Sequence, residues 1–156
     1  MVIDPTALAI IGGGLALAGG LAGSAIGVGI AGSAGVATLS EEPGQFRNVI
    51  VLASLPMTQT FYGLIILILI ITTVVPKLPA EGGAGLAVLG CGLIAAAAEC
   101  VSAAYQGVIC ASGISLLPKT RGRILTNAMI LAVMVELLGV LGLVFTITAL
   151  TMLGLM

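Results

Sequence analysis

Four long apolar runs, separated by three short polar segments, constrain what this chain can fold into. The runs cover residues 6–39, 48–75, 83–117 and 124–155. A helix of about 20 residues crosses the roughly 30 Å hydrocarbon core of a bilayer, and each run is longer than that. The runs lack the period-two alternation of membrane barrel strands. The sequence therefore predicts an all-α membrane protein with four transmembrane helices.

The composition agrees with a chain whose main surroundings are a lipid bilayer. Hydrophobic residues make up 60% of the sequence and charged residues only 7%, whereas soluble domains carry about 25% charged residues. The formal net charge is −1, which argues against a basic surface and against nucleic acid as a partner. The three cysteines fit no metal-binding spacing and are interpreted as small apolar core residues.

The polar breaks predict which side of the membrane each loop faces. Arg47 lies in the first break and Lys119, Arg121 and Arg123 in the third, whereas the second holds only Lys77. Positive residues favour the cytoplasmic side. We expect a cell-membrane location with loops 40–47 and 118–123 in the cytoplasm and both termini outside.

The two halves of the chain align with each other, which indicates a duplicated helical hairpin. The matched positions are Gly12 with Gly90, Gly14 with Gly92, Leu15 with Leu93, Gly29 with Gly107, Gly35 with Gly113, Met57 with Met134, Leu64 with Leu141, and Gln59 with Glu136. The predicted units are residues 1–78 and 79–156. Both hairpins begin and end on the same side, so they run in the same orientation.

Small residues recur every four positions along the first run, at Gly19, Gly23, Gly27, Ala31 and Gly35. A ladder of this kind lets two membrane helices approach closely, and it suits helices crowded on the inside of a ring. A compact four-helix bundle explains the ladder equally well. The G-x-G-x-x-G match inside the same run lacks the preceding strand that dinucleotide binding requires.

One carboxylate, Glu136, lies in the middle of the last apolar run. A charge at the centre of a membrane helix costs about 2.5–3.5 kcal/mol on insertion scales, so it is a functional candidate by default. Counted from the predicted cytoplasmic ends at 1.5 Å per residue, Gln59, Gln106 and Glu136 all lie roughly 16–20 Å deep. Three polar groups at one depth predict a shared site, although an interhelical hydrogen-bond clamp is an alternative.

The residue types at this depth favour a sodium ion over a proton. A bare Na⁺ needs several oxygen ligands and one negative charge, by the logic that applies to other hard cations. Thr58, Gln59, Gln106 and Glu136 supply four oxygens. Pro56 removes a backbone donor and bends its helix, so a nearby carbonyl can supply a fifth. A proton carrier needs only the carboxylate, and that alternative stays open.

Three segments resemble the rotor-ring (proteolipid, c/K-type) subunit of V/A-type rotary ATPases, and the sodium-translocating bacterial kind most of all. They are Leu55-Pro56-Met57-Thr58-Gln59-Thr60-Phe61-Tyr62-Gly63, Gln106-Gly107 and Met134-Val135-Glu136. The resemblance covers the whole chain, with four helices and the main acid in the fourth. It implies a homo-oligomeric ring of identical copies.

The resemblance also implies a role for each matching residue. Glu136 corresponds to the ion-carrying carboxylate and Tyr62 to a tyrosine that positions it. The remaining Na⁺ ligands implied are the amides of Gln59 and Gln106, the Thr58 hydroxyl and the Leu55 carbonyl. The implied partners are a stator membrane subunit and a central-stalk subunit at the cytoplasmic loops. A rotor protein of this kind catalyses nothing on its own and holds no organic cofactor, but it serves an ATP-driven translocase.

Glu99 departs from the family pattern, which has a small or apolar residue there. It lies seven residues before Gln106, on nearly the same helix face and about 10 Å further outward. Three roles are open: a protonated structural acid facing the ring interior, an acid that tunes the site through water, and the carrier of a second ion.

Three other functions remain to be weighed against a sodium-carrying rotor. One is a proton-carrying ring of the same family. Another is a small secondary transporter with Glu136 as its coupling site, since parallel repeats occur in transporters. The last is a structural pore or fusion proteolipid, in which Glu136 would be dispensable.

Overall fold

A computed structural model describes residues 4–80 and 82–156, so residues 1–3 and Glu81 of the second predicted break lie outside it. The described residues form four long helices: α1 (Pro5–Glu41), α2 (Pro43–Lys77), α3 (Ala84–Ser115) and α4 (Leu125–Met152). Each is long and apolar enough to span a membrane. No strand occurs within these two ranges. The prediction of an all-α membrane protein with four transmembrane helices is confirmed.

Capping residues explain where the helices begin and how the chain turns between them. The Asp4 side chain accepts a hydrogen bond of 3.0 Å from the Thr6 amide, and Pro5 occupies the first helical turn, where its missing N–H is tolerated. A single helical turn, Leu117–Thr120, follows α3. Arg121 and Gly122 then adopt left-handed backbone angles, with φ of 51° and 81°, and the chain enters α4.

α2 is continuous but its hydrogen-bonding pattern changes twice. Leu55–Met57 forms a 3₁₀ turn, because Pro56 has no N–H to donate to the preceding turn. Ile70–Val74 forms a π-helical turn, which the sequence pattern does not predict. The first change leaves the Leu55 carbonyl beside the side chain of Thr58.

α1 and α3 run parallel and make the most extensive helix contact, followed by α1 with α2 and then α3 with α4. At one end the Thr38 hydroxyl donates to the Ile114 carbonyl at 3.1 Å. At the other end Gly85 packs against the backbone of Pro5. The two helical hairpins therefore have the same orientation.

Two apolar core clusters fill the interior, and a group of fully buried polar residues lies between them. One cluster includes Ala16, Ile66 and Ala95, and the other includes Leu52 and Cys110. The polar residues between these layers are Gln59, Glu99, Ser102 and Gln106, each at most 1% exposed.

The predicted glycine ladder of α1 packs against neighbouring helices of the same chain. A Cβ atom on Gly19, Gly23 or Gly27 would overlap the α3 backbone at Ala96, Cys100 and Ala103 respectively. Gly35 instead faces the side chain of Val49 in α2. The role of these four glycines in packing the ring stays a prediction.

We expect Gly23→Ala to lower the stability of the solubilised protein by about 1–3 kcal/mol, because the added methyl group forces α1 and α3 apart. Gly29→Ala is the matched control, since a Cβ atom there meets nothing within 4 Å and alanine favours the helix. Thermal unfolding in detergent measures both. Equal midpoints for the two variants would refute the tight α1–α3 contact.

Candidate functional site

Glu136 lies near the middle of α4, partly buried, and both of its carboxyl oxygens accept hydrogen bonds. The Tyr62 hydroxyl of α2 donates to Oε1 at 2.9 Å. The Gln106 amide of α3 donates to Oε2 at 3.1 Å. Since an ionised carboxylate only accepts hydrogen bonds, this arrangement suits the charged form of the side chain.

The hydrogen bonds continue from Gln106 into the protein interior. Gln59 Nε2 donates to Gln106 Oε1 at 2.9 Å and to Ser102 Oγ at 3.1 Å. Both glutamines are fully buried. The structure thus brings the three polar residues expected at one depth into one connected network that spans α2, α3 and α4.

Three further oxygens lie side by side in α2. Thr58 Oγ1 is 3.1 Å from Gln59 Oε1 and 3.2 Å from the Leu55 carbonyl oxygen. A hard cation holds its oxygen ligands roughly 2.3–2.6 Å away, so oxygens about 3 Å apart can share one ion. All six residues that the resemblance assigns to the site therefore lie within this network or directly beside it.

Ser102 belongs to the network although it was not singled out from the sequence. Its hydroxyl accepts the Gln59 amide hydrogen and donates to the Val135 carbonyl of α4 at 2.9 Å. The signal that points to it is its spacing, since a residue four positions before Gln106 lies on the same helix face. Because α3 contains many other small residues, this spacing alone does not single out Ser102.

Glu99 is fully buried, and within residues 4–80 and 82–156 neither of its carboxyl oxygens has a hydrogen-bond partner. The carboxyl group faces α4. A Cβ atom on Gly139 would lie 2.8 Å from Glu99 Oε2, and one on Gly142 would lie 3.6 Å from Oε1. Glu99 therefore lies one helical turn from Glu136 as measured along α4.

The absence of a side chain at position 139 lets α4 approach the polar layer. A Cβ atom there would also come within 3.2 Å of the Gln59 Cγ and Ser102 Oγ atoms. Any larger residue would push α4 outward and lengthen the bonds that Glu136 makes. The glycine thus determines how closely the carboxylate side of the site meets the amide side.

The family of ATP synthase C-subunits matches this chain twice, over residues 11–70 and 83–149. The two matches fall on α1–α2 and on α3–α4.

Two characterised proteins are similar to the chain along most of its length. The A-type ATP synthase subunit K of Methanocaldococcus jannaschii is 34% identical over 94% of this chain and 63% of its own length. The V-type sodium ATPase subunit K of Enterococcus hirae is 36% identical over 80% of this chain and 78% of its own length. The chain thus spans less than two thirds of the first relative.

Tyr62→Phe is expected to destabilise the protein by about 0.5–1.5 kcal/mol, because Glu136 Oε1 loses its donor. Tyr105→Phe is the matched control, since Tyr105 is 63% exposed and makes no side-chain hydrogen bond among the described residues. Thermal unfolding of the two variants in one detergent compares them directly. Equal losses would mean that the Tyr62–Glu136 bond contributes nothing to stability.

Proposed function

Because the chain belongs to the ATP synthase C-subunit family, we propose that it is an ion-carrying rotor subunit of a V/A-type rotary ATPase. Members of this family assemble into homo-oligomeric rings, and the relatives are subunits of larger ATPases and do not hydrolyse ATP alone. In this proposal each copy binds one cation at Glu136 and carries it past a stator membrane subunit as the ring turns.

The observation that supports this role best is the pairing of Glu136. A carboxylate at the middle of a membrane helix is stable only when it is paired or neutralised. Tyr62 and Gln106 each donate to one of its oxygens, so the side chain is held in one position. A bound monovalent cation would make the site neutral overall, which lowers the cost of exposing it to lipid.

The proposed cargo is Na⁺, with the proton as the alternative. The oxygens of Leu55, Thr58 and Gln59 lie next to one another beside the network, and a proton carrier has no use for them. The resemblance to a sodium ATPase subunit points the same way. In the structure Gln106 presents its amide nitrogen to Glu136, so ligation by its oxygen requires the amide to turn.

The proposal also includes the orientation of the chain in the membrane and the duplication of its helical hairpin. Loops 40–47 and 118–123, which carry most of the positive charge, face the cytoplasm and meet a central-stalk subunit. Both termini lie on the opposite side. The two family matches support a duplicated hairpin with units at residues 1–78 and 79–156, in which only the second retained its acid.

Glu136→Gln should abolish ion transport while the ring still assembles. The amide has nearly the same shape and can keep a hydrogen bond to Tyr62, but it has no charge to neutralise a cation. Transport by the reconstituted ATPase and ring size on a native gel give the two readouts. Asp4→Asn, at the exposed start of α1 away from the loops that meet the stalk, keeps an N-cap acceptor and is the control that should leave both unchanged. Continued transport by Glu136→Gln would favour a structural pore.

Carbodiimide labelling of the purified ring distinguishes the two cargoes, because the reagent attacks protonated carboxyl groups. If Na⁺ binds at Glu136, added Na⁺ should slow labelling of this residue in competition with protons. Gln59→Leu, which removes one proposed ligand oxygen, should weaken the protection. Labelling that depends on pH alone, in wild type and variant, would mean that the ring carries protons.

A further inference from the structure

Glu99 is a buried acid that the proposed ion pathway does not use. It is fully inaccessible, and its two oxygens have no hydrogen-bond partner among the described residues. An ionised carboxylate in such a place would lose its hydration without any compensating partner, at a cost of several kcal/mol. The side chain is therefore a neutral acid with one O–H group to donate.

No hydrogen bond joins Glu99, as it is placed, to a neighbour in the described part of the chain, but a turn of its carboxyl group brings an acceptor of the same layer into reach. Ser102 follows Glu99 by three residues in α3, so the two side chains share a helix face. Glu99 Oε2 and Ser102 Oγ lie 2.8 and 3.2 Å from one point, the place of a Cβ atom on Gly139. Ser102 gives its own hydrogen to the Val135 carbonyl and accepts one from Gln59. A hydroxyl oxygen has two lone pairs, so one acceptor position remains for Glu99.

We propose that Glu99 is a permanently protonated positioning residue, whose O–H donates to Ser102 and thereby fixes the orientation of the Gln59 amide in the Glu136 site. The proposal rests on the proposed function to the extent that Gln59 serves as an ion ligand. It assigns Glu99 a proton that is held and not transported. Each rotor copy then carries one ion per passage despite having two membrane-embedded acids.

The direction of the hydrogen bonds explains why the neutral form matters. Gln59 directs its nitrogen toward Ser102 and Gln106 and its oxygen toward Thr58. An ionised Glu99 would only accept, and it would draw the Ser102 hydrogen away from the Val135 carbonyl. The Ser102 oxygen, which accepts the Gln59 amide hydrogen, would then shift and disturb the orientation of Gln59.

Gly139 provides the space that the arrangement needs. A Cβ atom there would lie 2.8 Å from Glu99 Oε2, whereas one on Gly142 would lie at an ordinary van der Waals distance of 3.6 Å from Oε1. α4 also carries Glu136, so the helix that holds the ion-carrying acid has a glycine where it packs against Glu99. Glu99 thus lies inside the supporting structure of the site, within a single copy of the chain.

Infrared spectroscopy of the ring tests the protonation state without any transport assay. We expect the carbonyl stretch of a neutral carboxyl group in wild-type rings at neutral pH with saturating Na⁺, which keeps Glu136 ionised, and its loss in Glu99→Gln. A Glu136→Gln ring should keep the band. If Glu99→Gln instead removes a carboxylate signal, Glu99 is ionised and the proposal is overturned.

Na⁺ protection of Glu136 against carbodiimide tests the positioning role. Glu99→Leu should weaken Na⁺ binding about 5- to 10-fold, the effect of losing one oriented hydrogen bond. Glu99→Gln, a neutral donor of the same shape, should restore most of the affinity. Unchanged affinity in Glu99→Leu, or a Glu99→Gln variant as weak as Glu99→Leu, would contradict the role.

A second variant covers the case in which the Glu99→Leu protein does not assemble into a ring. Ser102→Ala removes the acceptor and should weaken Na⁺ protection to a similar extent, and wild-type affinity in this variant would overturn the proposal. If wild-type rings show no Na⁺ protection at all, the sodium proposal fails. The infrared band still decides in that case whether Glu99 is a neutral acid.

Discussion

An acid in the hydrocarbon layer must be paired or neutralised, and the rest of this structure depends on how Glu136 meets that requirement. Water is absent at this depth, so each donor and acceptor has to be found within the protein. Tyr62 and Gln106 approach the carboxylate from two different helices. Three helices must therefore keep their positions relative to one another for the acid to be tolerated, which ties the fold to the site.

Close helix contact is what makes these bonds short enough. Gly27 lies against Ala103 in α3, Gly20 lies against the backbone of Gln59 in α2, and Gly139 lies against Glu99. In lipid the association of helices relies on such contacts, because apolar side chains gain little by leaving a solvent that is itself apolar. The glycines consequently serve the polar layer as well as the packing.

The sequence is enough to predict the number of helices and the depth of the site, but not the direction in which each side chain points. Run length and the breaks indicated the four spans, and residue counting placed Gln59, Gln106 and Glu136 at one level. The part played by Ser102 and the contact of Glu99 with α4 depend on how each helix is rotated about its axis. These helices are apolar on all sides, so periodicity carries no signal for that rotation.

The local changes in the backbone of α2 also divide into one that the sequence predicts and one that it does not. Pro56 predicted a disturbance in the second helix, because a missing N–H has a local consequence, and the 3₁₀ turn at Leu55–Met57 agrees with it. The π-helical turn at Ile70–Val74 follows no such residue. It contributes Ile70 and Val74 to the core cluster beside α1 and α3, which indicates that packing between helices determines it.

The orientation of the hydrogen bonds adds a constraint on how an ion enters. Gln59 donates to Gln106, and Gln106 donates to Glu136, so the positive ends of both amide dipoles point toward the carboxylate. A cation ligated by the Gln106 oxygen would meet the opposite polarity, which requires that amide to turn. Tyr62 takes no part in the hydrogen bonds between the two amides, so its bond to Glu136 can persist when the Gln106 amide turns. If a cation binds as proposed, the carboxylate is thus the fixed part of the site, and the Gln106 amide is the part that has to turn.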